Sequence, residues 1–242
     1  MPASLPDLPQ TEAVIIEMTN AFRGENKLQA VAPNAALRVA AQAFADYLAR
    51  TGTFAHTADG RQPWDRARAA GYRYCIVAEN LALNQTNRGF ETRALAEAAI
   101  AGWKNSPPHR AALLQPNLTE IGVGIAKASD ADPKYLLVQL FGRPEIFKYG
   151  VDIENRSGVT VAYSFGEKRN SITPQTRVKH TACVPQEVTF ETGKVTSKFE
   201  ARGGAVFMIT QGADGAPRVD LERTDVSATA RAPAAKGVKP QR

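Results

Sequence analysis

The feature that most constrains this sequence is a change of hydrophobic period near Pro144. Before it, alanine-rich stretches carry apolar residues three and four apart, as helices do; after it, short runs alternate apolar and polar residues. A helical stripe and an alternating strand bury different faces against different partners. The 242-residue chain is therefore expected to build two cores rather than one. In the first part, Ile15, Met18 and Phe22 mark a helix over Thr11–Lys27. Asn34 is placed to cap a second helix presenting Leu37, Ala40, Ala41, Phe44 and Leu48, which ends at Gly52. Pro63 and Gly71 bracket a short helix, and Glu91–Asn105 reads as another that Pro107 stops at Ser106. Ile121–Ile125 and Tyr135–Phe141 alternate as two strands. Beyond Pro144, the runs at 159–163, 178–180, 188–190 and 205–210 predict a small antiparallel β domain. The expected organisation is an N-terminal extension (1–10), an α/β domain (11–145), a β domain (146–225) and a disordered basic tail (226–242), an α+β chain overall.

Charge narrows the partners. The net charge of +6 arises from 30 basic and 24 acidic residues. Arg231, Lys236, Lys239 and Arg242 lie in the tail with no acid beside them, and without them the balance falls to 26 basic against 24 acidic. The folded part is close to neutral, with no basic stripe and no aromatic ladder, which argues against nucleic acid. No apolar run approaches the roughly 18 residues that cross a bilayer, and 1–10 lacks the pattern of a signal peptide. Two cysteines, Cys75 and Cys183, are too few for a disulfide framework and lack zinc-ribbon spacing; pairing and free thiols both remain open.

Chemistry concentrates at few positions. Of the three histidines, His56 follows the second helix and His109 follows the Trp103–Asn105 helix end, while Glu79 sits between them in Ala78-Glu79-Asn80-Leu81. Imidazoles carry protons near neutrality and ligate zinc, and a carboxylate can orient a ring or complete a site. Spacing alone does not join them, since no short-range ligand motif such as HExxH is present. Each has an ordinary alternative: a loop histidine, a surface carboxylate, a helix-end imidazole. His180 falls in an alternating strand and is expected to be structural. Ser106, three residues before His109, is a further catalytic candidate, although neither it nor Cys75 has a recognisable activating signature. Gly122-Val123-Gly124 opens no helix and reads as close strand packing rather than a phosphate loop. Asn84 and Asn117 each begin an Asn-x-Thr glycosylation pattern.

Several stretches in a fixed order resemble the CAP superfamily of cysteine-rich secretory and pathogenesis-related proteins in its compact bacterial form. They are Asn20-Ala21-Phe22-Arg23, Phe54-Ala55-His56, Ala78-Glu79-Asn80-Leu81-Ala82, Trp103 to Arg110, Ile121-Gly122-Val123-Gly124 and Val138 to Gly142. The resemblance runs from about Ala13 to Pro144 and leaves the β domain outside it. It implies an α-β-α sandwich with an open cleft where His56, Glu79 and His109 meet, with His56 and His109 as ligands for a divalent metal, zinc first. Where eukaryotic members carry a second acid in the cleft, this chain has the neutral Ser106. The resemblance further implies a secreted or periplasmic monomer whose cleft binds a small hydrophobic ligand, such as a lipid, or a cell-envelope component. The alternative is a metal-assisted hydrolase with Glu79 as base, and a third reading leaves the first domain as a scaffold.

Overall fold

Asp7 sets the start of the first unit. Its carboxylate accepts the Gln10 N–H at 2.9 Å and caps helix α1 (Leu8–Glu25), so the helix begins three residues before the expected Thr11. The structure is a computed structural model and describes residues 5–128, 133–193 and 195–223. After the short strand β1 (Ala32–Pro33), Asn34 caps α2 (Ala35–Thr51) by accepting the N–H groups of Ala36 and Leu37, and Gly52 ends it at φ +71°. Then follow α3 (Pro63–Ala69), β2 (Tyr74–Gln85), α4 (Thr92–Asn105), α5 (Pro107–Leu113), β3 (Glu120–Lys127), β4 (Lys134–Pro144) and a 3-10 turn, Glu145–Phe147.

The sheet order is β1-β3-β4-β2, with β1 parallel to β3 and the other pairs antiparallel. Strand β4 is covered on both faces, and its alternate residues divide between two cores. Tyr135, Leu137 and Phe141 join Ile15, Phe22, Leu95 and Trp103 under α1, α4 and α5. Leu136, Val138 and Leu140 join Leu37, Ala41, Phe44, Leu48 and Ala67 under α2 and α3. The result is the expected α-β-α sandwich. Fully burying each such large side chain contributes about 1.5–3 kcal/mol.

Gly122 and Gly124 set how closely α2 approaches the sheet. A Cβ at Gly122 would run into the backbone of Leu37 and Arg38, and one at Gly124 into that of Ala41 and Gln42. The helix thus rests directly on β3, which is the strand-packing role expected for these glycines. The contact lets the Gln42 amide donate to Ile125 O at 3.0 Å and accept the Ile125 N–H at 3.1 Å.

Contacts divide the chain into two compact units, Met1–Phe147 and Lys148–Arg242. The second contains β5 (Tyr149–Asn155), β6 (Val161–Phe165), β7 (Lys168–Ile172), β8 (Thr176–Ala182), β9 (Gln186–Thr192), β10 (Val195–Ala201), β11 (Val206–Gln211) and β12 (Pro217–Arg223). They form two four-stranded sheets, β10-β9-β6-β7 and β12-β11-β5-β8. All pairings are antiparallel except β5 with β11, which is parallel. Val151, Ile153, Val161, Val188, Phe190, Phe207 and Ile209 fill its core. His180 has its Nε2 2.8 Å from the Tyr163 hydroxyl and its ring stacked on Phe165 with centroids 4.4 Å apart, the structural setting expected of it. The tail expected at 226–242 lies outside the described residues.

Replacing Gly124 by Ala is expected to destabilise the protein by about 1–3 kcal/mol, because helix backbone rather than a movable side chain meets the new methyl. Gly102, in the interior of α4 with open space around it, is expected to gain about 0.5–1 kcal/mol on the same replacement. Urea unfolding of the two variants beside the parent measures both, and equal effects would contradict this account of the helix–strand contact.

Candidate functional site

The site is built on strand β2, which pairs with β4 along one edge and with no other strand among the described residues. Glu79 and Asn80 are consecutive on it, opposite Leu140 and Gln139, so their side chains leave on opposite faces of the sheet. Each holds one of the two histidines. Glu79 Oε1 lies 2.8 Å from His56 Nδ1, and Asn80 Nδ2 donates to the backbone oxygen of His109 at 3.3 Å.

On the α2–α3 side, Arg66 organises the network. Its Nη2 donates to Glu79 Oε1 at 3.0 Å and Oε2 at 2.8 Å, and to the backbone oxygen of His56 at 3.0 Å. Its Nη1 donates to Asp59 Oδ1 at 2.8 Å and to Arg61 O at 3.0 Å. The guanidinium carbon sits 3.5 Å from the Phe44 ring centroid. One cation thus ties the turn that carries His56 to the strand that carries Glu79. Side-chain exposure is 5% for Arg66 and 1% for Glu79, but 50% for His56. A carboxylate against Nδ1 selects the tautomer protonated there and leaves Nε2 as the free nitrogen.

On the other side, Asn80, fully buried, also donates to Gln139 Oε1 at 3.1 Å, and Gln139 Nε2 donates to Thr19 Oγ1 at 2.9 Å. Trp103 Nε1 donates to Leu81 O at 2.8 Å. These bonds fasten α4 and α5 to the strand and fix His109. Its place differs in one respect from the sequence expectation: Pro107 and Pro108 stop α4 but open α5, so His109 lies inside a second short helix. Proline is tolerated at a first helical turn, where its missing N–H has no intrahelical partner. Burial, and then repulsion from His56, hold the His109 imidazole below its ordinary pKa of 6.5. The two rings therefore share one electrostatic neighbourhood. Ser106 links α4 to α5 with extended backbone and makes no side-chain capping bond; it lines a cavity of about 290 Å3 together with His109, Phe54 and Trp103.

Arg66, Asn80 and Asp59 are absent from the sequence-based site. Asn80 adjoins Glu79 in the stretch singled out there, whereas nothing separates Arg66 from a surface arginine until α3 is folded against β2. Among the described residues, no three His, Cys, Asp or Glu side chains converge so as to hold a metal ion. Zinc sites take three or four protein ligands, and both Glu79 oxygens are already engaged. The donor set does not fit a resident zinc.

A profile of the CAP family, the cysteine-rich secretory protein family, matches residues 16–141. The chain belongs to this family. It is 29% identical over 118 residues to the uncharacterized protein YkwD of Bacillus subtilis, covering 48% of this chain and 43% of that protein, so it spans less than half the length of that curated relative. Among solved structures, an extracellular protein containing a SCP domain from Bacillus anthracis is similar at 23% identity and a TM-score of 0.47, covering 56% of this chain and 41% of the other. An outer surface protein of Borrelia burgdorferi is similar at 22% identity and a TM-score of 0.47, covering 55% and 92%.

Removing the Arg66 side chain leaves a buried carboxylate without its cation and is expected to cost about 3–5 kcal/mol; denaturant unfolding of Arg66→Ala measures it, and a loss below about 1 kcal/mol would remove Arg66 from its central place. For His109, the unfolded chain takes up a proton near pH 6.5 before the folded one does. Its contribution to stability is therefore complete above that pH and is lost as the pH falls through 6.5 toward the folded-state value. In His56→Ala, the His109 titration followed by NMR is expected to move upward, toward the ordinary value.

Proposed function

We propose that the first unit is an extracytoplasmic binding module whose ligand sits at the outer edge of β2 between His56 and His109. The observation that carries this is the division of labour at Glu79 and Asn80: on two adjacent strand residues with buried side chains, a Glu79 carboxylate oxygen meets the His56 ring and the Asn80 amide nitrogen donates to the His109 backbone. Buried polar networks of this kind fix geometry. Glu79, with both oxygens occupied and its side chain 1% exposed, serves as a positioning residue for His56; it has no path to a substrate proton. No step of this function passes through a metal.

Support for the compartment comes from the family, which is one of secretory proteins. No helix of the described residues is long and apolar enough to cross a membrane.

Hydrolysis is the competing reading, and one pair of measurements separates the two. Small neutral probes are expected to move the ring resonances of His56 and His109 together while leaving His180 in place, with 4-nitrophenyl acetate cleaved no faster than by Glu79→Gln. Saturable turnover that disappears in a folded Glu79→Gln protein would replace binding by catalysis. A probe collection that moves neither ring would overturn the site.

A further inference from the structure

The hollow between α2 and α3 lies apart from the histidine cleft: neither His56 nor His109 lines it. Its apolar wall consists of Val39, Ala40 and Ala43 of α2 with Ala69 and Ala70 at the end of α3. Val39, Ala43 and Ala69 are exposed. Two arginines join this wall from different elements, Arg50 in the last turn of α2 and Arg61 in the turn ahead of α3.

Both cations are rooted but unspent. The Arg50 guanidinium carbon lies 5.5 Å from the Tyr47 ring centroid, and Tyr47 donates its hydroxyl to Ala58 O at 3.1 Å. Arg61 has its backbone fixed on both sides: its N–H donates to Asp59 Oδ1 at 3.1 Å and its carbonyl accepts from Arg66 Nη1 at 3.0 Å. Among the described residues, no carboxylate pairs with either guanidinium. Asp59 is taken by Arg66, and Asp46, one turn before Arg50, accepts from Gln42. A guanidinium presents a planar fork of donors that matches a carboxylate. Two such forks beside a methyl-lined surface complement a negative group carried on an apolar body. Asp59 sets the limit on charge: its carboxylate lines the same hollow, so each further negative charge brought in meets repulsion, which favours a monoanion over a phosphate dianion.

We infer that this hollow is a second ligand site, for a compact organic carboxylate: the carboxylate lies between Arg50 and Arg61, and the apolar body rests against Val39, Ala43 and Ala69. Contacts of a single exposed guanidinium are weak, so the site depends on both arginines acting on one anion. The inference goes beyond the histidine cleft and stands whether or not that cleft binds, since no histidine takes part.

The test uses the full chain and cyclohexanecarboxylate near neutral pH, with binding followed by NMR at the arginine Nε–H resonances. Saturable shifts are expected at Arg50 and Arg61, with Arg68 and the Trp103 indole N–H unmoved. Arg50→Gln and Arg61→Gln should each weaken binding roughly 3- to 10-fold, the effect of one charge-assisted contact, and the double variant should abolish it. Arg68→Gln, at an exposed arginine outside the hollow, should leave it unchanged. These changes fall on exposed side chains, and an unchanged circular dichroism spectrum would show that the fold persists. Three further probes fix the class: cyclohexanecarboxamide lacks the charge, acetate lacks the apolar body, and phenyl phosphate carries a second charge. Each should bind roughly 10-fold more weakly or worse. Should cyclohexanecarboxylate give no saturable shift at Arg50 and Arg61, or should Arg68→Gln weaken it as much as Arg61→Gln does, the site falls. If the amide or acetate binds as tightly as the carboxylate, or phenyl phosphate binds more tightly, the carboxylate assignment falls.

Discussion

Arg66 is the interaction on which the arrangement of the first unit's polar half depends. A guanidinium has five donor hydrogens, and four distinct groups receive from this one: the Glu79 carboxylate, the Asp59 carboxylate and the backbone oxygens of His56 and Arg61. Because its side chain is 5% exposed, these bonds act in surroundings where water offers little substitute. The aromatic face of Phe44 beneath it ties the same cation to α2. A charge that would be a burden in a core is met here by opposite charge, oriented carbonyls and a ring face. A loop of little intrinsic structure, residues 52–62, thereby acquires one conformation, and with it the position of His56.

The other half of the site follows a neutral logic. Asn80, Gln139 and Thr19 form a buried relay across one face of the sheet to α1, and Trp103 uses its single donor on Leu81 O. Together these bonds hold α4 and α5 at a set height above β2. The two histidines are therefore positioned by independent means, one ionic and one amide-based, meeting only through adjacent residues of a single strand.

How much of this could be read beforehand differs by element. The helices were legible because their caps and stripes are local: Asn34 and Gly52 bound α2, and Pro63 opens α3. Strands β3 and β4 showed their alternation, and β6, β8, β9 and β11 theirs. β2 escaped because Tyr74–Gln85 mixes Cys75, Glu79, Asn80 and Asn84 into its apolar residues: an edge strand that carries a site does not alternate cleanly. β7, with a single buried residue at Ile172, has almost no hydrophobic signal, since pairing rather than burial places it. His56, Glu79 and His109 emerged from ordered family motifs rather than from spacing. Arg66 did not emerge, because its importance lies in what surrounds it after folding.

The glycine contact between α2 and β3 has one more effect. Strand β1 covers β3 only at Glu120 and Ile121, leaving the far half of β3 without a neighbouring strand on that side among the described residues, the kind of edge on which a second chain can add. With the helix seated so low, the Gln42 carboxamide reaches Ile125 and satisfies both its N–H and its C=O, imitating the peptide group of an absent neighbour. Two missing side chains thus let a third occupy the strand edge at Ile125, where the backbone of a neighbouring strand would otherwise pair.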